Sequence, residues 1–149
     1  MNRQVREYLN IPATRKLLGI TTNNTFTIPN LDVNTAFVRT GDEYGRTPLY
    51  VASLLERGIR VLIYVGENDW ICNWVGNENW VMQLDWSGAK AFREGKKGEW
   101  SVDGKEVGQL RTSGGLTFAT IRGAGHMVPY DKPKEALSMV QTWMRGDDF

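Results

Sequence analysis

The chain has 149 residues, 41% of them hydrophobic and 23% charged. That is globular composition at about the length of one ordinary domain, and it excludes a disordered, collagen-like or fibrous chain. With 18 Lys and Arg against 17 Asp and Glu, the net charge of +1 argues against a basic nucleic-acid binder or a polyanionic tail. Asn2 to Leu9 reads as a short helix, and Pro12 opens a second that ends before Gly19. Residues 20 to 46 are rich in Thr, Asn, Gly and Asp and read as irregular, with one strand at Ala36 to Arg39. Thr47-Pro48 is a helix start, a capping residue followed by Pro, with Tyr50, Val51, Leu54 and Leu55 as the apolar face and Gly58 as the stop.

Val61 to Val65 is a continuous β-branched and aromatic run without polar alternation, the pattern of a strand buried on both faces in a parallel sheet. It is also the longest apolar run, far below the roughly 20 residues of a membrane span. A helix followed by such a strand is an α/β signature. Trp74 to Leu84 reads as a helix with Trp74, Val81 and Leu84 on one side. The basic cluster Lys90, Arg93, Lys96 and Lys97 reads as solvated surface. Asp103-Gly104 between two short strand-like runs predicts a hairpin, Gly114-Gly115 a further turn, and Leu116 to Ile121 another apolar strand. A final amphipathic helix has Asp131 as cap, Pro133 in its first turn, and Ala136, Leu137, Val140, Trp143 and Met144 as the buried face.

Two loops carry the candidate chemistry, and each follows the carboxyl end of an apolar strand, where open α/β sheets bind ligands. One is Gly66 to Asn73, containing Asp69 and Cys72; the other is Gly123 to Pro129, containing His126. An acid after one strand and a His after a later one form the downstream part of the Ser, Asp, His order of α/β-hydrolases. A hydroxyl is a weak nucleophile, so an imidazole must take its proton, and a carboxylate must hold that imidazole in the right tautomer. Cys72 and His126 are the only residues of their types, so no disulfide scaffold is possible and no structural zinc spacing is present. Gly123-x-Gly125 lacks the third Gly of a dinucleotide fingerprint. The start of the chain lacks the apolar core of a signal peptide, and Asn23-Asn24-Thr25 is a glycosylation sequon that matters only in a secretory route.

Gly66-Glu-Asn-Asp69-Trp-Ile-Cys72-Asn73-Trp74-Val-Gly76-Asn77 resembles the acid motif of the serine carboxypeptidase family (carboxypeptidase Y-like), and Gly125-His126-Met127-Val128-Pro129-Tyr130-Asp131-Lys-Pro133 resembles its histidine motif. The closing helix and the stretch from Tyr8 to Gly19 resemble the corresponding family segments, so the similarity covers nearly the whole chain, in order. The resemblance implies that residues 1–149 form one segment, the C-terminal portion of an α/β-hydrolase fold. It implies Asp69 as triad acid and His126 as general base. Cys72 would be an unpaired thiol beside the substrate and Met127 would lie near the leaving-group pocket. Asn73, Trp74 and Gly125 would support the motifs. It implies a peptide substrate, no cofactor and no metal, and a vacuolar or secreted location.

The family nucleophile sits in a Gly-x-Ser-x-Gly-type elbow. None of Ser53, Ser87, Ser101, Ser113 and Ser138 has Gly at two-residue distance on both sides, and only Ser53 precedes Asp69, within a predicted helix. The expectation is therefore an upstream polypeptide as partner, supplying the Ser and the rest of the sheet. Transfer of the acyl group to an alcohol instead of water is the alternative within enzymes. A non-catalytic truncated remnant is the alternative outside them.

Overall fold

The structure, a computed structural model, describes residues 2–41 and 45–147. It falls into two compact units, Met1–Gly45 and Arg46–Phe149.

The first unit is helical. Helices α1 (Asn2–Leu9) and α2 (Pro12–Leu17) follow the expected bounds, with Pro12 in the first turn of α2. The Asn10 side chain clips a later stretch to this pair: its amide donates to the Phe26 carbonyl at 2.9 Å and its oxygen accepts from the Phe26 N–H at 2.8 Å. Where a strand is expected at Ala36 to Arg39, the chain is instead helix α3 (Leu31–Thr40). The local signals that win are a start and a stop. The Asn30 side chain accepts from the Val33 N–H at 3.1 Å, and Gly41 ends the helix in the left-handed conformation. Residues 42–44, within the same expected irregular stretch, lie outside the described residues. None of the described α3 residues is buried, and Leu31, Val33, Phe37 and Val38 are exposed.

The second unit holds α4 (Thr47–Glu56), β1 (Val61–Gly66), α5 (Trp74–Met82), α6 (Ala89–Glu94), β2 (Gly98–Val102), β3 (Lys105–Ser113), β4 (Leu116–Ile121), α7 (Val128–Asp131) and α8 (Pro133–Arg145). The fold is mixed α/β. Its four strands form one sheet in the order β1-β4-β3-β2, with β1 parallel to β4 and the other two pairs antiparallel. Asp103 and Gly104 both have positive φ, 52° and 74°, as the two-residue hairpin between β2 and β3 requires.

The strand buried on both faces is β4, every residue of which is buried; β1, expected to be that strand, lies at the sheet edge with Tyr64 exposed. Its composition is right for a central strand, but among the described residues only one of its sides has a neighbour. Alternation along β4 divides the core. Leu116 and Phe118 join Val65, Val81, Trp86 and Phe92 under α4, α5 and α6, while Ala119 and Ile121 join Trp100, Val128, Ala136 and Met139 on the other face.

Three helix details depart from the sequence reading. Arg46, not Thr47, occupies the cap position of α4, and the buried residues of that helix are Ala52 and Leu55, with Tyr50 and Leu54 exposed. Helix α6 forms inside the basic stretch, seated by fully buried Phe92, and Lys97 pairs with Glu78 at 2.9 Å while lying over the Trp74 ring. Lys132 precedes α8 in place of Asp131; that helix buries Ala136 and Met139 and leaves Leu137, Val140 and Met144 exposed. Its apolar residues are too many for one stripe, and the stripe centred on Met139 meets the sheet.

Candidate active site

Strands β1 and β4 are parallel neighbours in the register Gly66↔Ile121, so their carboxyl ends lie side by side and the loops that follow leave together. Backbone bonds then lash the loops to each other. The Glu67 N–H donates to the Ile121 carbonyl and the Asn68 N–H to the Ala124 carbonyl, both at 2.9 Å. A third tie is made by side chains, with the Thr120 hydroxyl donating to the Glu67 carboxylate at 2.7 Å. Gly66 is needed for this approach. A Cβ there would come within 2.7 Å of the Ala124 carbonyl carbon, and closer still to the carbonyl oxygens of Ala124 and Gly125.

Asp69 and His126 meet across this junction. One carboxylate oxygen of Asp69, Oδ2, lies 2.9 Å from His126 Nδ1. The other, Oδ1, accepts the N–H groups of Ile71 at 3.1 Å and Cys72 at 3.0 Å. The His126 hydrogen bond, first, and these two N–H groups hold the Asp69 carboxyl below its ordinary value against the opposing effect of burial. A carboxylate can only accept, so Nδ1 carries the proton and Nε2 is left as the acceptor nitrogen of the ring. The Asp69 side chain is 6% exposed and that of His126 64%. A buried, anchored carboxylate therefore aims an accessible imidazole, the arrangement that general-base chemistry uses.

The pair borders a hollow of about 200 Å³ lined also by Tyr64, Cys72, Asn77 and Val128. Cys72 is a free, exposed thiol, and ligand-capable atoms of Asp69, Cys72 and His126 all lie within 4.8 Å of one another. Asn73 caps α5 by accepting from the Gly76 N–H at 2.8 Å, and Trp74 is half-buried against the core. The Gly125 N–H donates to the Asp131 carboxylate at 2.7 Å. Met127 is half exposed at the start of α7 and is not among the residues lining the hollow. None of the five serines lines it either, and Ser53 lies within α4.

Three contributors escape the sequence reading. Asn77 donates to the Cys72 and Asn73 carbonyls and accepts from the Trp80 indole, which pins the turn carrying the thiol. Its place four residues after Asn73 on a helix was the available signal. The Glu67–Thr120 tie has no local signal, since its partners are 53 positions apart. Asp131 resembles a helix cap in sequence, yet its carboxylate clasps the histidine loop.

The serine carboxypeptidase family model matches residues 1–146. Carboxypeptidase Y of Candida albicans is 40% identical over 143 residues, covering 96% of this chain and 26% of that protein. A vacuolar serine-type carboxypeptidase of Saccharomyces cerevisiae is 40% identical over 147 residues, 97% of this chain and 29% of that protein. The crystal structure of a prohormone-processing carboxypeptidase from Saccharomyces cerevisiae superposes with a TM-score of 0.59 at 29% identity, over 66% of this chain and 22% of that one. The chain thus spans about a quarter of the length of the curated relatives it matches. Taken with the paired acid and histidine loops, these matches show that the chain belongs to the serine carboxypeptidase family.

Proposed function

We propose that the chain supplies the acid and the base of a serine-type carboxypeptidase, as the C-terminal portion of an α/β-hydrolase fold. The observation that carries this reading is the 2.9 Å bond between Asp69 and His126 at the joined ends of two parallel strands. His126 Nε2 takes the proton of a serine hydroxyl borne on polypeptide outside these 149 residues as its oxygen attacks the last peptide bond of a substrate. The same proton then passes to the departing amino group, leaving an acyl-enzyme that water hydrolyses through the same base. Asp69 stabilises the imidazolium formed at each step. Cys72 would border the bound peptide and Met127 the departing residue. A vacuolar or secreted setting fits this reading and would expose the Asn23 sequon to glycosylation.

A non-catalytic role for the chain by itself is favoured by one observation: no serine lines the hollow beside His126. A fluorophosphonate probe separates the two readings. Applied to the native material, it should label a serine on polypeptide carried with, or continuous with, this chain. Absence of label overturns the peptidase reading; label on Ser53, Ser87, Ser101, Ser113 or Ser138 overturns the placement of the nucleophile.

A further inference from the structure

We propose that Asp69, Cys72 and His126 together form a chelating site for a zinc-type divalent cation. The inference concerns binding and stands whether or not the peptidase reading does. One thiolate, one imidazole and one carboxylate are the donors zinc prefers, and three protein ligands leave its fourth position for solvent. Linear spacing hides the set, because His126 comes from a loop 57 positions from Asp69.

The geometry needs little adjustment. Bonds of about 2.0–2.3 Å in a tetrahedron place ligand atoms roughly 3.2–3.8 Å apart. Here one ligand-capable atom from each residue lies within 4.8 Å of the others, and the Nδ1–Oδ2 distance is 2.9 Å. The acid–base pair must open slightly and the thiol must swing inward. Both are free to do so, since Cys72 and the His126 side chain are exposed. The backbones behind them are held. Asp69 Oδ1 is occupied by the N–H groups of Ile71 and Cys72, which leaves Oδ2 to face the cation, and Asn77 grips the Cys72 carbonyl. Such outer contacts orient ligands and raise affinity.

Filling the site would also occupy the base. The cation takes the place of the proton between Oδ2 and Nδ1, and that proton moves to Nε2. The nitrogen that would act as base is then protonated. The thiol loses its proton to solvent as the metal–sulfur bond forms, so one proton leaves per cation bound. Thiolate and carboxylate together neutralise the two positive charges.

The test is titration of the chain with zinc chloride and, separately, cobalt chloride. Calorimetry in buffers of different ionisation enthalpy should show one zinc bound and one proton released. Cobalt should produce a near-ultraviolet thiolate-to-metal charge-transfer band. Cys72→Ser should abolish the band and weaken zinc binding by more than the roughly 10–100-fold cost of losing an outer-shell partner. Asp69→Asn should weaken binding as well, with far-ultraviolet circular dichroism confirming that each variant folds. Zinc uptake unchanged by Cys72→Ser, cobalt binding without the band, or no stoichiometric uptake would each overturn the proposal.

Discussion

Replacing Gly66 by Ala probes the junction that sets the site. Gly66 has no positive φ, so its backbone accepts an alanine, and only the space above it is in question. The added methyl would sit 2.7 Å from the Ala124 carbonyl carbon and nearer to two carbonyl oxygens, whereas ordinary contact begins at 3.4 Å. These obstacles are backbone atoms, and no rotamer change relieves them. The histidine loop must retreat by about 1 Å, which carries the 2.9 Å bond between Asp69 and His126 out of hydrogen-bonding range. Overpacking of this kind costs about 1–3 kcal/mol, or roughly 5–15 °C in melting midpoint for a unit of this size. In an active assembly, a misplacement of that size would cost about 100-fold in turnover. The assays are thermal unfolding and the low-field proton resonance of His126 Nδ1–H, which should vanish in Gly66→Ala. Gly98→Ala, where a Cβ meets nothing within 4 Å, serves as the control. A Gly66→Ala chain with an unshifted midpoint and an intact resonance would refute the reasoning.

Asp131→Ala should cost about 1 kcal/mol, since it removes a charge-assisted but exposed bond to the Gly125 N–H, and should broaden the His126 resonance; an unchanged spectrum would show that the clasp does not hold the loop. The Asp69 carboxyl titrates below its ordinary 3.8, so its ionised form stabilises the folded state above that value, and the contribution disappears as the pH falls through the lower folded-state value. The urea midpoints of the native chain and Asp69→Asn should therefore differ at neutral pH and converge in strong acid; divergence toward low pH would reverse the assignment. The chain by itself should self-associate, because the open side of β1 and exposed Tyr64, Trp70, Ile71 and Leu137 face water, and sedimentation as a single monomeric species at micromolar concentration would contradict this.

The strands of the sheet, the hairpin and the meeting of Asp69 with His126 are legible because their signals are local. Leu116 to Ile121 reads as a strand from its largely apolar, β-branched and aromatic residues, and Asp103-Gly104 names its own turn. Asp69 and His126 were readable because each follows a strand, in motifs resembling those of a known family. What stayed hidden depends on neighbours that the sequence does not name. Val61 to Val65 has the composition of a central strand, but which strand takes the edge is decided by pairing. Helix α8 offers two apolar stripes, and only docking on the sheet chooses the one through Met139. Helix α3 escapes the sequence reading for another reason: Asn30 and Gly41, which cap its two ends, have the composition of a loop.

The parallel pairing of β1 with β4 also makes the acid–base pair a gauge of correct folding. Asp69 and His126 stand 57 positions apart, and the strands that bring them together are themselves distant in the chain, Val61 pairing with Leu116 and Gly66 with Ile121. A slip of one residue between β1 and β4 would displace one loop past the other by about 3.3 Å, more than the length a hydrogen bond tolerates. No near-miss alignment can therefore leave a weakened pair behind. Contacts of such long range form late and slowly in a folding chain. The Asp69–His126 bond should appear in one step with the native alignment, so that a chain caught in an earlier collapsed state would carry both residues and none of their joint chemistry.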